Sequence, residues 1–77
     1  MKILQPNARL VAEIPPQRFT LGKDDAARAP AIGDLVFVDQ GWAAPDGRDM
    51  FLVYCQDADG RVRWEAELYE AELELLD

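Results

Sequence analysis

Residues 51–76 read FLVYCQDADGRVRWEAELYEAELELL, and this stretch decides the fold. Asp59-Gly60 lies between two runs of β-forming residues, which is a strong hairpin signal because glycine readily takes the positive φ that such a turn needs. The run before it predicts a strand over 50–56. After it, apolar and polar residues alternate over 61–68, which predicts a strand with one face in the core and one in water. The predicted core-facing residues are Val62, Trp64, Ala66 and Leu68.

Residues 69–72 interrupt this alternation and predict a short helical turn, and residues 73–76 predict a brief last strand. An amphipathic helix over 63–76 is the rival interpretation, because leucines recur near helical spacing and glutamate favours helix. The β-formers that follow the hairpin turn directly favour the strand.

Two further strands are predicted upstream. Residues 9–14 are rich in β-formers and end at Pro15-Pro16, which has no N–H to give to a ladder. The second strand covers 32–38. Residues 17–31 carry little β pattern and predict a long loop, and residues 41–49, with a proline-led turn, predict another.

Five short strands with one helical turn before the last strand are the plan of an SH3-like barrel. Closing the sheet hides most of its edges, which a chain of this size requires. We therefore predict an all-β fold: a small five-stranded SH3-like barrel with one short helical turn before the last strand. Residues 1–77 are expected to form a single domain.

Several of these segments resemble the uncharacterised domain-of-unknown-function family 4926, whose members are small bacterial proteins. The family pattern runs Gly-x-x-Gly-Thr-Val-Val, then Tyr-x-Val-x-Phe-x-Asp-x-x-Gly-Arg, then two leucines at a similar interval. The matching segments here are Gly33–Val38, Phe51–Arg61, Leu68 with Leu73, and Leu10–Pro15 for the first strand. The chain has Asp34-Leu35 where the family has Gly-Thr. The resemblance implies a small SH3-like barrel and brings no activity or site residue.

The formal charge of −7 is unevenly placed. Residues 1–40 carry five acidic and five basic residues, whereas residues 41–77 carry ten acidic residues against three arginines. A nucleic-acid partner requires a basic surface that pairs with phosphates, and an anionic membrane repels an acidic one. The charge therefore predicts no nucleic acid and no membrane partner. It favours a basic protein partner, or it serves solubility alone.

The sequence offers few groups for catalysis or metal binding. It has no histidine, the usual base at neutral pH, and its one cysteine, Cys55, lies in an apolar strand that predicts a buried thiol. Asp57–Gly60 lacks the ligand spacing of a calcium loop. We therefore predict a protein that is not an enzyme and holds no metal or cofactor. The single cysteine and the lack of an apolar leader or spanning run predict the cytoplasm.

The candidate partner-binding residues are the acidic side chains of the last strands and hairpin, together with one loop tryptophan. They are Asp57, Asp59, Glu65, Glu67, Glu70, Glu72, Glu74 and Trp42. A tryptophan in a loop either caps the barrel or anchors a partner.

These features predict a non-enzymatic protein-binding module with an acidic face, such as an immunity or antitoxin-like inhibitor of a basic partner. The alternative is an accessory or small-ligand-binding domain that uses loops 17–31 and 41–49, because binding residues are often carried on loops of a rigid scaffold.

Overall fold

The computed structural model describes residues 4–76 of the chain. The strands are β1 (Ala8–Leu10), β2 (Phe19–Leu21), β3 (Leu35–Ala43), β4 (Asp49–Gln56), β5 (Val62–Tyr69) and β6 (Leu73–Leu75). All pairs are antiparallel, and the described residues form one sheet in the order β2-β5-β4-β3-β1-β6. Two short 3-10 helices precede β2 and β6, at Pro16–Arg18 and Glu70–Glu72. The prediction of an all-β fold is confirmed.

The described residues contain six strands rather than the predicted five, because β2 forms inside the predicted loop 17–31. β2 lies at one edge of the sheet and pairs with β5, with Leu21 opposite Trp64. Gly22 extends this contact by donating its N–H to the carbonyl of Arg63 at 2.9 Å. A Cβ at Gly22 would overlap the carbonyl of Val62, so only glycine permits this approach. The pairing partner lies far along the chain, which is why local sequence gave no sign of the strand.

The predicted loop 41–49 is also wrong at its two ends. β3 continues to Ala43, and Asp49 already belongs to β4. The remaining turn is closed by a hydrogen bond of 2.8 Å from the N–H of Ala44 to the carbonyl of Arg48. Trp42 therefore lies on a strand, opposite Met50, and not in a loop. The first strand is shorter than predicted and ends at Leu10.

The last third of the described chain follows the sequence pattern closely. Gly60 has a φ of 85°, and the N–H of Asp57 donates to the carbonyl of Arg61 at 2.9 Å to close the hairpin. The helical turn is found at Glu70–Glu72 and the last strand at β6, as predicted. Since β5 runs unbroken to Tyr69, the rival helix over 63–76 is wrong.

The core is one cluster of side chains from β1, β3, β4 and β5. Trp64 is fully buried at its centre. Alternation along β5 also buries Ala66 and Leu68, whereas Glu67 between them is exposed, as the sequence predicted. The other buried members of this cluster are Ala8, Leu10, Val36, Val53 and Cys55. Within residues 4–76 no helix has the length and apolar character needed to cross a bilayer.

Candidate functional site

Strand register determines which side chains of the sheet point away from the core. On β4, Val53 and Cys55 are buried, so alternation places Met50, Leu52 and Tyr54 on the opposite side. Residues that face each other across neighbouring strands share a side of the sheet. We call this surface the outer face, and it includes Phe37, Gln40 and Trp42 on β3, Met50, Leu52 and Tyr54 on β4, and Glu65, Glu67 and Tyr69 on β5.

The outer face combines apolar and acidic groups. Trp42 is 38% exposed, and Met50, Leu52 and Tyr54 are each partly exposed. Burial raises the pKa of the Tyr54 hydroxyl, and the nearby carboxylates of Asp39 and Glu65 raise it further. The hydroxyl therefore stays protonated at neutral pH and can donate a hydrogen bond. Asp39 lies on β3 next to a register shift between Val38 and Gln40.

Within residues 4–76, the two acids of the outer face, Glu65 and Glu67, and the neighbouring Asp39 have no arginine partner and take part in no ion pair. Their negative charge is therefore free to act on an approaching molecule. Of the seven predicted binding acids, Glu65, Glu67 and Glu70 have no ion-pair partner among residues 4–76, and Glu65 and Glu67 share the outer face.

Two other predicted acids are occupied within the fold. Both guanidinium nitrogens of Arg18 donate to the carboxylate of Glu72, at 2.7 Å each, which ties the segment before β2 to the turn before β6. The hydrogen bonds from Arg18 are the main cause that lowers the pKa of Glu72. Glu74 pairs with Arg9 at 3.0 Å across β1 and β6. The charges of these acids are largely neutralised.

The hairpin acids are likewise paired. Asp57 contacts Arg61 at 3.2 Å and accepts hydrogen bonds from the N–H groups of Asp59 and Arg61, so it shapes the turn. Asp59 lies 3.6 Å from the same guanidinium. The predicted acidic surface is therefore not continuous, because three arginines form ion pairs with four of its seven acids.

Glu70 contributes to a separate feature, an open groove of about 830 Å³. Its apolar lining comes from Val38, Phe51, Ala71, Leu73 and Leu75, and Asp49, Glu70, Arg48 and Tyr69 complete it. The guanidinium carbon of Arg48 lies 3.8 Å from the centroid of the Tyr69 ring, and Arg48 also pairs with Asp46 at 2.7 Å. The groove therefore has an apolar floor and a rim that carries both charges.

Sequence reasoning missed Asp34, a carboxylate that accepts four hydrogen bonds within residues 4–76. The Asp34 carboxylate accepts hydrogen bonds from two guanidinium nitrogens of Arg28, at 2.9 and 2.7 Å. It also accepts one from the indole N–H of Trp64 and one from the backbone N–H of Ala31, each at 3.0 Å. Desolvation acts to raise the pKa of Asp34, but these donors, Arg28 first among them, outweigh it and lower the pKa. Asp34 thus fastens the segment between β2 and β3 to the core. Its role is structural.

The sequence pattern could have identified two outer-face residues that were not predicted, Leu52 and Tyr54. Alternation from Val53 would have placed Leu52 and Tyr54 together on the polar side of β4. Arg18 had no such signal, because its partner Glu72 lies 54 positions away in the chain.

The one cysteine of the chain lies at neither surface. Cys55 is buried, as predicted, and burial raises the pKa of its thiol to about 11, so the thiol is protonated at neutral pH. Among the described residues, no group of three or more cysteine, aspartate or glutamate side chains is arranged to hold a metal ion.

No family model, no curated protein and no solved structure matches this chain.

Proposed function

We propose that the chain is a non-enzymatic protein-binding module that binds a basic protein partner through its outer face. One observation carries the proposal. Arginines pair with four of the predicted acids, whereas Glu65, Glu67 and the neighbouring Asp39 have no cation partner within residues 4–76. These unpaired charges would draw in a partner that carries lysine or arginine.

The apolar side chains between these acids support a protein rather than a small cation as the partner. Leu52 lies directly opposite Glu67, Tyr54 lies opposite Glu65, and the partly exposed Trp42 extends the same surface. Protein interfaces commonly combine such aromatic side chains with a polar rim, and tryptophan and tyrosine often supply most of the binding energy. In the bound state, apolar groups of the partner cover Leu52 and Tyr54 while its basic groups pair with the flanking carboxylates.

An inhibitor of the immunity or antitoxin type is the concrete form of this proposal. An enzyme that acts on nucleic acid presents a basic surface to its substrate. A small domain with an overall charge of −7 and an unpaired acidic, aromatic face is suited to cover such a surface.

We further propose that the sheet is an SH3-like barrel, the architecture implied by the resemblance to family 4926. The strands run β6-β1-β3-β4-β5 across the sheet, and a 3-10 helix precedes the last strand, as in that plan. The short β2 is then an addition carried by the long connection between β1 and β3.

The test is a double charge reversal on the outer face. Glu65→Lys with Glu67→Lys is expected to slow association with a partner isolated by pull-down from the source organism, because electrostatic steering acts on the on-rate. The control, Glu13→Lys with Asp25→Lys, makes the same change in net charge at two exposed acids outside the outer face. Association rates are measured for all three proteins at low and high salt.

The control should associate nearly as fast as the unaltered protein, and the outer-face variant about tenfold or more slowly at low salt. High salt should reduce the difference, because screening acts over about 8–10 Å. Equal on-rates for the two double variants, or rates insensitive to salt, would show that the outer face serves solubility only.

The groove supports a second candidate function, an accessory or small-ligand-binding domain. Of the two loops predicted for this role, residues 41–49 contribute Arg48 and Asp49 to the groove, whereas residues 17–31 do not line it. A volume of about 830 Å³ and an apolar floor suit a small apolar molecule. Saturable stabilisation by such a compound, lost in Phe51→Ala but kept in the Glu65 and Glu67 double variant, would favour this function.

A further inference from the structure

The strand β6 leaves one of its edges unpaired in the described part of the chain. The sheet ends at β6, whose one neighbour among residues 4–76 is β1. The hydrogen bonds that flank this pairing join Glu72 to Val11 and Leu76 to Asn7. Backbone groups alternate in direction along an antiparallel strand, so the N–H and carbonyl of Leu75 point away from β1. Exposed groups of this kind are a template for a further strand.

The groove described above adjoins this edge. Leu73 and Leu75 form one side of it, and Val38 and Phe51 of β3 and β4 lie across from them. Leu75 is 74% exposed, an unusual position for a leucine on a regular strand. The side chains of Val38, Phe51 and Leu73 are half-buried and pack against the core, so they form the floor of the groove. An unpaired backbone edge therefore lies beside an apolar recess that can take a side chain.

The charges near the groove select the occupant. Asp49 and Glu70 line the groove, and within residues 4–76 neither is in an ion pair. Arg48 is already held by Asp46 and by the ring of Tyr69. The free charge at the rim is thus negative and complements lysine or arginine. A second copy of this chain, with its own charge of −7, is a poor match.

We propose that β6 is a docking edge for an extended segment of a protein partner, which adds as a strand beside Leu75. Its backbone pairs with the outward N–H and carbonyl of Leu75. One apolar side chain enters the groove between Leu73 and Phe51, and a lysine or arginine pairs with Asp49 or Glu70. Strand addition of this kind takes affinity from the backbone and specificity from the side-chain pockets. This site is distinct from the outer face and does not depend on the function proposed for that face.

The probe is a phage-displayed library of short random peptides selected against the intact chain. We expect the selected peptides to alternate apolar residues with lysine or arginine. A selected peptide, made synthetically, should shift the NMR amide signals of 73–76 and slow hydrogen exchange at the Leu75 N–H. Leu75→Pro removes that donor without touching the pairing with β1, and should weaken binding about tenfold.

Leu21→Pro is the matched control. Gly22 donates to Arg63, so by the same alternation the N–H of Leu21 points away from β5 at the opposite edge of the sheet. Binding to this variant should be unchanged. If Leu75→Pro does not fold, the same hydrogen bonds are tested by changing the peptide. N-methylation of the peptide residue that faces Leu75 should abolish binding, whereas N-methylation of the next peptide residue, whose N–H points away from β6, should not.

Four results would overturn the proposal. The first is that the library yields no binding peptide, and the second is that a bound peptide shifts NMR signals of the outer face only. The third is that Leu75→Pro, or both N-methylated peptides, bind with the affinity of the unaltered pair. The fourth is that the chain self-associates through β6, seen as a concentration-dependent mass in sedimentation. Binding of small apolar compounds in the groove, without binding of any peptide, would also overturn the proposal.

Discussion

At the scale of single residues, Asp34 shows how a charged side chain can be buried against the core. Its side chain is only 9% exposed, yet it stays ionised because Arg28, Trp64 and Ala31 all donate to it. Removing this carboxylate leaves the buried indole N–H of Trp64 without an acceptor, which costs more free energy than the hydrogen bond itself contributes.

We therefore predict that Asp34→Ala lowers the free energy of unfolding by about 2–4 kcal/mol. The indole N–H of Trp64 would lose its acceptor, and Arg28 would lose its ion pair. Asp25→Ala is the control, since Asp25 is exposed in the same connection. Urea unfolding followed by tryptophan fluorescence measures both. If the two variants unfold at the same urea concentration, Asp34 is not the fastening point described above.

At the scale of elements, the hairpin between β4 and β5 depends on one backbone conformation. Gly60 has a φ of 85°, and among residues 4–76 only glycines adopt positive φ. A β-branched residue is strained there, because its Cβ clashes with the backbone.

We predict that Gly60→Val lowers the free energy of unfolding by about 1–3 kcal/mol. Ala58→Val, an exposed position in the same turn, controls for the added side chain and should have a smaller effect. Thermal melts of both variants and the unaltered protein provide the comparison. A melt of Gly60→Val that coincides with that of the unaltered protein would contradict the turn geometry.

The elements that sequence could predict are those with local causes. The hairpin, the alternation of β5 and the helical turn at Glu70–Glu72 follow from turn chemistry and side-chain period, and each was predicted. β2 was missed because its three residues gain their hydrogen bonds from β5, far along the chain. The end of β3 was missed because Gly41 and Pro45 suggested a loop, whereas pairing with β4 keeps residues 41–43 extended.

In the candidate site, too, local features could be predicted from the sequence and long-range contacts could not. Alternation placed Glu65 and Glu67 together on the polar side of β5, and the structure bears this placement out. Local sequence could not reveal that Arg18 would pair with Glu72, because that contact needs the tertiary fold. The difference between paired and unpaired acids, on which the proposed function depends, is therefore a property of the structure.

At the scale of the whole molecule, ion pairs connect segments that local structure leaves apart. Arg18 with Glu72 and Arg28 with Asp34 fasten the long connection between β1 and β3 to the rest of the sheet. Both carboxylates are mostly buried, and each has a lowered pKa. Stability should therefore depend on pH through these two groups.

For a carboxylate whose pKa is lower in the folded state, stability is fully present above the unfolded pKa, about 4, and is lost as pH falls through the folded pKa. We predict that the free energy of unfolding is nearly constant from neutral pH to about pH 5 and decreases steadily below about pH 4. Asp34→Asn combined with Glu72→Gln should be less stable at neutral pH and should lose less stability on acidification, because the two titrating groups are gone. Glu70→Gln, which removes an exposed acid without an ion pair among residues 4–76, should keep the slope of the unaltered protein. Urea unfolding at a series of pH values measures these slopes. A double variant that loses as much stability in acid as the unaltered protein would show that other groups govern its acid unfolding.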